Sequence, residues 1–154
     1  GPEIWADCPE VDAFVAGLGT SGTLMGVGRF LKERNPDVKI VAVEPPAGEE
    51  IQALRSLDEG YVPPIFDPDV LDRKSIVRAR ESIEWTRRLA HECGIFAGLS
   101  SGAAVAGAVR YATELGSGTV VTLLPDGGWK YLSTGAWTDD LDVVADRARK
   151  IIYF

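Results

Sequence analysis

Apolar residues along the chain fall into short dense runs, and between the runs lie stripes at helical spacing. Asp12-Ala-Phe-Val-Ala16 has the density of a buried strand. From about Gly22 to Arg34, Leu24, Val27 and Leu31 share one helical face, with Gly28 between them to let that face press closely on a sheet. Asn35-Pro36-Asp37 stops this helix. Val38-Lys-Ile-Val-Ala-Val43 is a second apolar run, bounded by Glu44-Pro45-Pro46. Strand, loop, helix and strand in this order make a βαβ unit, which predicts parallel pairing and a right-handed crossover.

The alternation continues. Residues 1–10 form a short helical or irregular lead-in. Residues 45–72 carry five prolines and predict a long connection with one short helix near Glu50 to Asp58; a connection of that length in a compact domain covers a site. Ser75 to Ala79 suits a short strand, and Arg80 to Cys93 a helix closed by Gly94. Ile95-Phe-Ala-Gly-Leu-Ser-Ser-Gly-Ala-Ala104 is a Gly/Ser turn opening a helix over Ser101 to Leu115, whose Ala and Gly residues predict tight packing. Thr119-Val-Val-Thr-Leu-Leu124 reads as a strand buried on both faces. From Asp139 the tail is amphipathic, aligning Leu141, Val144, Ala148 and Ile151. The whole pattern predicts an α/β fold in one domain over residues 1–154, with a three-layer αβα arrangement around a mostly parallel, Rossmann-like sheet.

Charge and composition narrow the function. A formal net charge of −7 over 154 residues argues against a nucleic-acid binder, which needs a basic stripe. No apolar run approaches a membrane span. Cys8 and Cys93 have no metal-type spacing and predict free, buried thiols in a reducing cytoplasm. His91 is the only histidine and falls near the end of a polar helix, which excludes histidine-rich metal sites and disfavours a serine-hydrolase triad.

Candidate chemistry sits between the first strand and the first long helix. Gly17, Gly19 and Gly22 let a ligand approach the backbone, Thr20, Ser21 and Thr23 supply three hydroxyls, and the helix start supplies unpaired N–H groups. That combination suits a phosphate. Gly17-x-Gly19-x-x-Gly22 also matches the dinucleotide fingerprint, with Glu44 at the end of the next strand as the ribose-binding acid. A tight turn that binds nothing is the third alternative. Ser100 and Ser101 open a helix, where capping and ligand contact are equally good accounts. Composition alone makes Arg55 a solvated arginine beside Asp58, and makes the four tryptophans packing residues.

Three segments in order, Gly19-Thr-Ser-Gly-Thr23, Ile95 to Gly102, and Lys130-Tyr-Leu-Ser-Thr-Gly135, resemble the C-terminal half of the cysteine synthases. These are fold-type II pyridoxal-phosphate (PLP) enzymes, a group that includes cystathionine β-synthase. The likeness spans essentially the whole chain, including Gly1-Pro-Glu-Ile-Trp5, and implies a PLP-phosphate-binding C-terminal part of a longer two-domain enzyme. It implies that Gly19, Thr20, Ser21, Gly22 and Thr23 hold the cofactor phosphate, that Ser100 faces the pyridine nitrogen, and that Pro125 lies beside the ring. The commoner family loop has glycine where Ser21 stands. Leu54-Arg-Ser-Leu-Asp-Glu-Gly-Tyr-Val-Pro63 is most similar to the actinobacterial cysteine synthase B branch, which implies that Arg55 meets the phosphate of O-phosphoserine and that a small sulfur-carrier protein is a partner. A homodimer, a cytoplasmic location and an activated serine as substrate follow from the same likeness. The family's Schiff-base lysine lies in a Ser-x-Lys-Asp-Arg-like segment absent from this sequence. Lys32, Lys39, Lys74, Lys130 and Lys150 all sit in other contexts, so no catalytic residue and no metal ligand is assigned, and the chain by itself is expected to be inactive.

Overall fold

Side chains on the first strand alternate between two separate cores. Phe14, Ala16 and Leu18 join Leu24, Met25, Leu31, Ile40 and Ala42, whereas Val15 joins Val41, Val43, Ala103 and Ala106. A strand that buries both faces needs a helical layer on each, and the chain supplies them. In the computed structural model, which describes residues 1–60 and 62–148, the elements run α1 (Pro2–Asp7), β1 (Ala13–Gly17), α2 (Gly22–Arg34), β2 (Lys39–Glu44), β3 (Arg73–Ile76), α3 (Ala79–Cys93), α4 (Leu99–Leu115), β4 (Val120–Thr122) and α5 (Leu141–Ala148). All pairings in the four-stranded sheet are parallel, in the order β3-β2-β1-β4. The α2 layer covers one face and α4, backed by α3, covers the other. This is the three-layer α/β architecture the hydrophobic pattern predicts.

Close helix packing depends on missing side chains. At Gly102, on α4, a Cβ would overlap the Ser82 carbonyl and the Thr86 hydroxyl and lie 2.7 Å from the Thr86 amide nitrogen. Backbone therefore meets backbone where α4 crosses α3. The pair is further joined by the Ser82 hydroxyl, which donates to the Leu99 carbonyl at 2.6 Å. A smaller third cluster of Ile83, Leu99, Ala136, Val144 and Ala145 tucks α5 under α3. There Arg87 donates to the carbonyls of Ala136 and Asp139, both at 2.6 Å.

Several expectations are corrected. The connection over 45–72 has no helix at Glu50 to Asp58: Ala53 takes a left-handed φ of 69°, which breaks a helix, and only short 3-10 turns form at Leu57–Glu59 and Pro68–Val70. β3 starts two residues earlier than Ser75 and ends at Ile76, with the Val77 N–H donating the last bond of the ladder to the Glu44 carbonyl at 3.0 Å. α4 begins at Leu99 rather than Ser101. β4 is half-buried rather than buried on both faces, since it pairs with β1 on one side and with no strand on the other among the described residues. Cys93 is exposed and Cys8 half-buried, both free, and Trp129 is largely exposed. Lys150 and Ile151 lie outside the described residues. No described helix is long and apolar enough to cross a membrane.

Glu44 is the most consequential correction. It is fully buried; its Oε2 accepts the Leu57 N–H at 3.0 Å and its Oε1 ion-pairs with Lys74 Nζ at 2.7 Å. A carboxylate committed in this way reaches no ribose, which removes the acid the dinucleotide reading requires. Its work is to hold the long connection down on the sheet. The Glu44 carboxylate at hydrogen-bonding distance raises the Lys74 amine above its ordinary value, against the opposite pull of burial. The folded chain therefore keeps that proton to higher pH than the unfolded chain does, and the stabilisation is complete below about pH 10.4 and is lost as pH climbs through the folded value.

Two outcomes follow. Gly102→Val should lower the unfolding free energy by more than about 2 kcal/mol in urea titration, because the overlap is with backbone that cannot give way. Lys74→Met should lower the urea midpoint at neutral pH, and the gap to the wild-type chain should narrow as pH is raised past the lysine range.

Candidate functional site

β1 and β4 are adjacent and parallel, so the loops that leave their carboxyl ends rise on the same side of the sheet. The loop after β1 turns into α2 on one face. The segment after β4 passes Pro125, and α4, on the opposite face, brings its first turn to the same place. Such a divergence opens a crevice at the carboxyl edge of a parallel sheet.

A cavity of about 210 Å³ occupies this crevice. Its walls include Gly19, Thr20, Ser21, Gly22, Thr23, Ser100 and Pro125. All seven residues that sequence reading nominates for the cofactor thus meet at one place, although they come from three separate parts of the chain. The remaining walls are Ala16, Gly17, Leu123 and two residues of the long connection, Ala53 and Leu54.

Local backbone explains the cradle. Ser21 is the N-cap of α2 with φ 70° and makes no capping bond with its own side chain. The first bond into the helix is Met25 N–H to the Ser21 carbonyl at 2.9 Å, so the amides of Gly22, Thr23 and Leu24 precede it and carry the partial positive charge of the helix start. None of the lining residues is ionisable, and the site's attraction for an anion comes from neutral donors and this dipole. The Ser21 and Ser100 hydroxyl oxygens are buried and have no hydrogen-bond partner among the described residues. Buried hydroxyls normally have one, so unpartnered hydroxyls on two residues that line the same cavity are unusual. Ser100 is the second residue of α4, after the N-cap Gly98, and its hydroxyl, like that of Ser101, makes no hydrogen bond among the described residues, so it does not cap the helix.

The connection over 45–72 does reach the site. Leu54 packs where a Gly17 side chain would stand, with its Cδ2 2.5 Å from that point, and the Ala53 carbonyl lies 2.6 Å from the equivalent point on Gly19. The Arg55 N–H donates to the Leu18 carbonyl at 2.8 Å. Gly17 and Gly19 are therefore needed to admit this segment as well as any ligand. Arg55 itself is exposed and is not among the lining residues, though its two predecessors are. Sequence reading misses Ala53, Leu54 and Leu123, which offer no chemistry to notice. It also misses Asp126 beyond Pro125, whose Oδ2 accepts the Tyr131 hydroxyl at 2.7 Å. Burial, and then that hydrogen bond, push the Tyr131 phenol far above its ordinary value. No cluster of metal-ligating side chains occurs among the described residues.

The chain is 43% identical over 138 residues to cysteine synthase B of Pseudomonas aeruginosa, a match that covers 89% of this chain and 46% of the relative. Its fold is similar to that of an O-acetylserine sulfhydrylase, isoform 3, from Entamoeba histolytica, with a TM-score of 0.81 and 32% identity over 96% of this chain and 48% of the other. An O-acetylserine-dependent cystathionine β-synthase from Helicobacter pylori superposes with a TM-score of 0.81 and 35% identity, covering 88% of this chain and 47% of its own. The chain spans about half the length of the relatives it matches. Residues 1–126 match the profile of the family described as pyridoxal-phosphate dependent enzyme, and the chain belongs to that family.

Proposed function

We propose that this chain is the PLP-phosphate-binding part of a cysteine synthase-type enzyme, one that replaces the β-substituent of an activated serine with sulfur. The convergence of Gly19 to Thr23, Ser100 and Pro125 on one uncharged cavity, with unpartnered hydroxyls on two of the lining residues, carries this reading. The cavity's chemistry fits the cofactor at both ends. Around the α2 start, three amides and the hydroxyls of Thr20, Ser21 and Thr23 offer donors to a phosphate dianion without a competing carboxylate. At the far wall, Ser100 offers a neutral hydroxyl to a ring nitrogen. Bound PLP supplies an electron sink that lets an activated serine lose its β-substituent and accept a sulfur nucleophile. A neutral partner at the ring nitrogen, unlike a carboxylate, leaves it unprotonated and favours that β-replacement over transamination.

The finer assignment within this reading concerns the substrate. A guanidinium suits a phosphate ester better than a neutral acetyl group, and Arg55 follows directly on two wall residues, which supports O-phosphoserine over O-acetylserine. Use of a sulfur-carrier protein, a homodimeric assembly and a cytoplasmic location belong to the same proposal. The covalent lysine is to be supplied by sequence outside this chain, because none of its lysines within the described residues lines the cavity.

Two measurements test this. Alone, the chain should form no cysteine from O-acetylserine or O-phosphoserine with sulfide; expressed with the half of a cysteine synthase that carries the lysine, it should bind PLP and gain the activity, and homocysteine in place of sulfide should yield no thioether. A reconstituted protein that binds no PLP overturns the proposal. Ser21→Gly should act in opposite directions: relief of the left-handed serine should raise stability by about 1 kcal/mol, while loss of the hydroxyl should weaken inorganic phosphate binding by about fivefold in calorimetry.

A further inference from the structure

The start of α4 is held by an unusual brace. Gly98, its N-cap, has no side chain with which to cap the helix. Its N–H donates instead to the Asp126 carbonyl at 3.0 Å, the Gly128 N–H donates to the Phe96 carbonyl at 3.0 Å, and Ala97 and Gly127 form an isolated antiparallel bridge. The segment after β4 is thus laced to the turn before α4 by backbone alone. The Asp126 side chain completes the lacing. Its Oδ2 accepts the Tyr131 hydroxyl at 2.7 Å and lies 3.5 Å from Lys130 Nζ. Its Oδ1 is buried, without a hydrogen-bond partner among the described residues, and lies where a side chain on Gly98 would begin. The Tyr131 ring closes on the same point, with one ring carbon 2.6 Å from it. A carboxylate therefore rests against the first turn of α4, where the helix dipole favours negative charge and no side-chain cap is present.

We infer that Asp126 and Tyr131 are positioning residues that hold the first turn of α4, and with it the Ser100 hydroxyl, in register with Pro125 for the ring end of the ligand. This rests on the reading of the cavity as a PLP site. Pro125 is bonded directly to Asp126, and Ser100 is two residues beyond Gly98, so the brace joins two walls of the cavity into one body. The phosphate end is built on α2, a different element on the opposite face of the sheet. Tyr131 stays protonated well past neutral pH and remains a donor throughout the working range. Loosening the brace should consequently affect recognition of a ring and leave recognition of a bare phosphate intact, a separation that simple destabilisation of the fold does not produce.

Isothermal titration of the chain, of Tyr131→Phe and of Asp126→Asn with two ligands tests this. Inorganic phosphate probes the α2 end alone. Pyridoxine 5′-phosphate adds the ring but has no aldehyde to react with surface lysines. Both variants should bind pyridoxine 5′-phosphate about five- to tenfold more weakly than wild type and inorganic phosphate with unchanged affinity. Equal losses for both ligands, or no loss for either, would overturn the brace. Wild-type protein that binds neither ligand overturns the cofactor reading itself, which is a distinct result. Should Asp126→Asn fail to fold by circular dichroism, Tyr131→Phe, which removes a single oxygen atom, decides the matter.

Discussion

A parallel sheet covered on both faces obliges every strand to deliver its following loop to the same edge, and this obligation organises the whole molecule. β1 sends its loop into α2 on one face, while the segment after β4 meets the start of α4 on the other. Where the two routes diverge, backbone must separate, and the gap cannot be filled by the sheet itself. The cavity is a consequence of topology before it is a consequence of any side chain. Next to it, β1 and β4 are joined by the pairing of Val15 with Thr122, reinforced by the Thr122 hydroxyl donating to the Val15 carbonyl at 2.8 Å.

Two kinds of chemistry are then placed in that gap. The α2 start contributes amides and hydroxyls, which suit an anion, and the α4 start contributes Ser100, whose hydroxyl is buried and unpartnered. Neither wall carries a charge, so a bound dianion would be held by dipoles fixed in advance by the fold. That arrangement demands rigid backbone, and the rigidity is supplied from behind. Glu44 clamps Leu57 and Lys74 beneath the connection that seats Ala53 and Leu54 on the glycine loop. Asp126 and Tyr131 clamp the opposite wall. Each clamp is built on a carboxylate, and neither carboxylate is among the residues that line the cavity.

The glycines of the loop have a double duty that motif matching hides. Gly17 and Gly19 are read most simply as making room for a phosphate. In the folded chain they also make room for Leu54 and for the Ala53 carbonyl. The Rossmann-type fingerprint is consequently a weak guide to the ligand here, since the same spacing is required by the packing of the protein's own connection. Membership of the pyridoxal-phosphate dependent enzymes rests on the wider match over residues 1–126.

Local sequence pattern determined the alternation of strands and helices, the parallel sheet with a layer on each face, and the position of the glycine- and hydroxyl-rich loop between β1 and α2. Those features are written in local spacing: apolar runs for buried strands, three- and four-residue steps for helices, glycines and hydroxyls at a helix start. Ser21 and Ser100 were legible as polar residues at helix starts, but only folding showed that both hydroxyls are buried and unpartnered and that both residues line one cavity. Only tertiary structure decided the fate of Glu44, because a carboxylate at a strand end looks the same in sequence whether it faces a ribose or its own chain's Leu57 amide. The helix anticipated near Glu50 failed for a similar reason: the connection is shaped by contacts with Gly17, Gly19 and Glu44, all remote in sequence. Edge exposure of β4 depends on which strands flank it, and no local pattern encodes that.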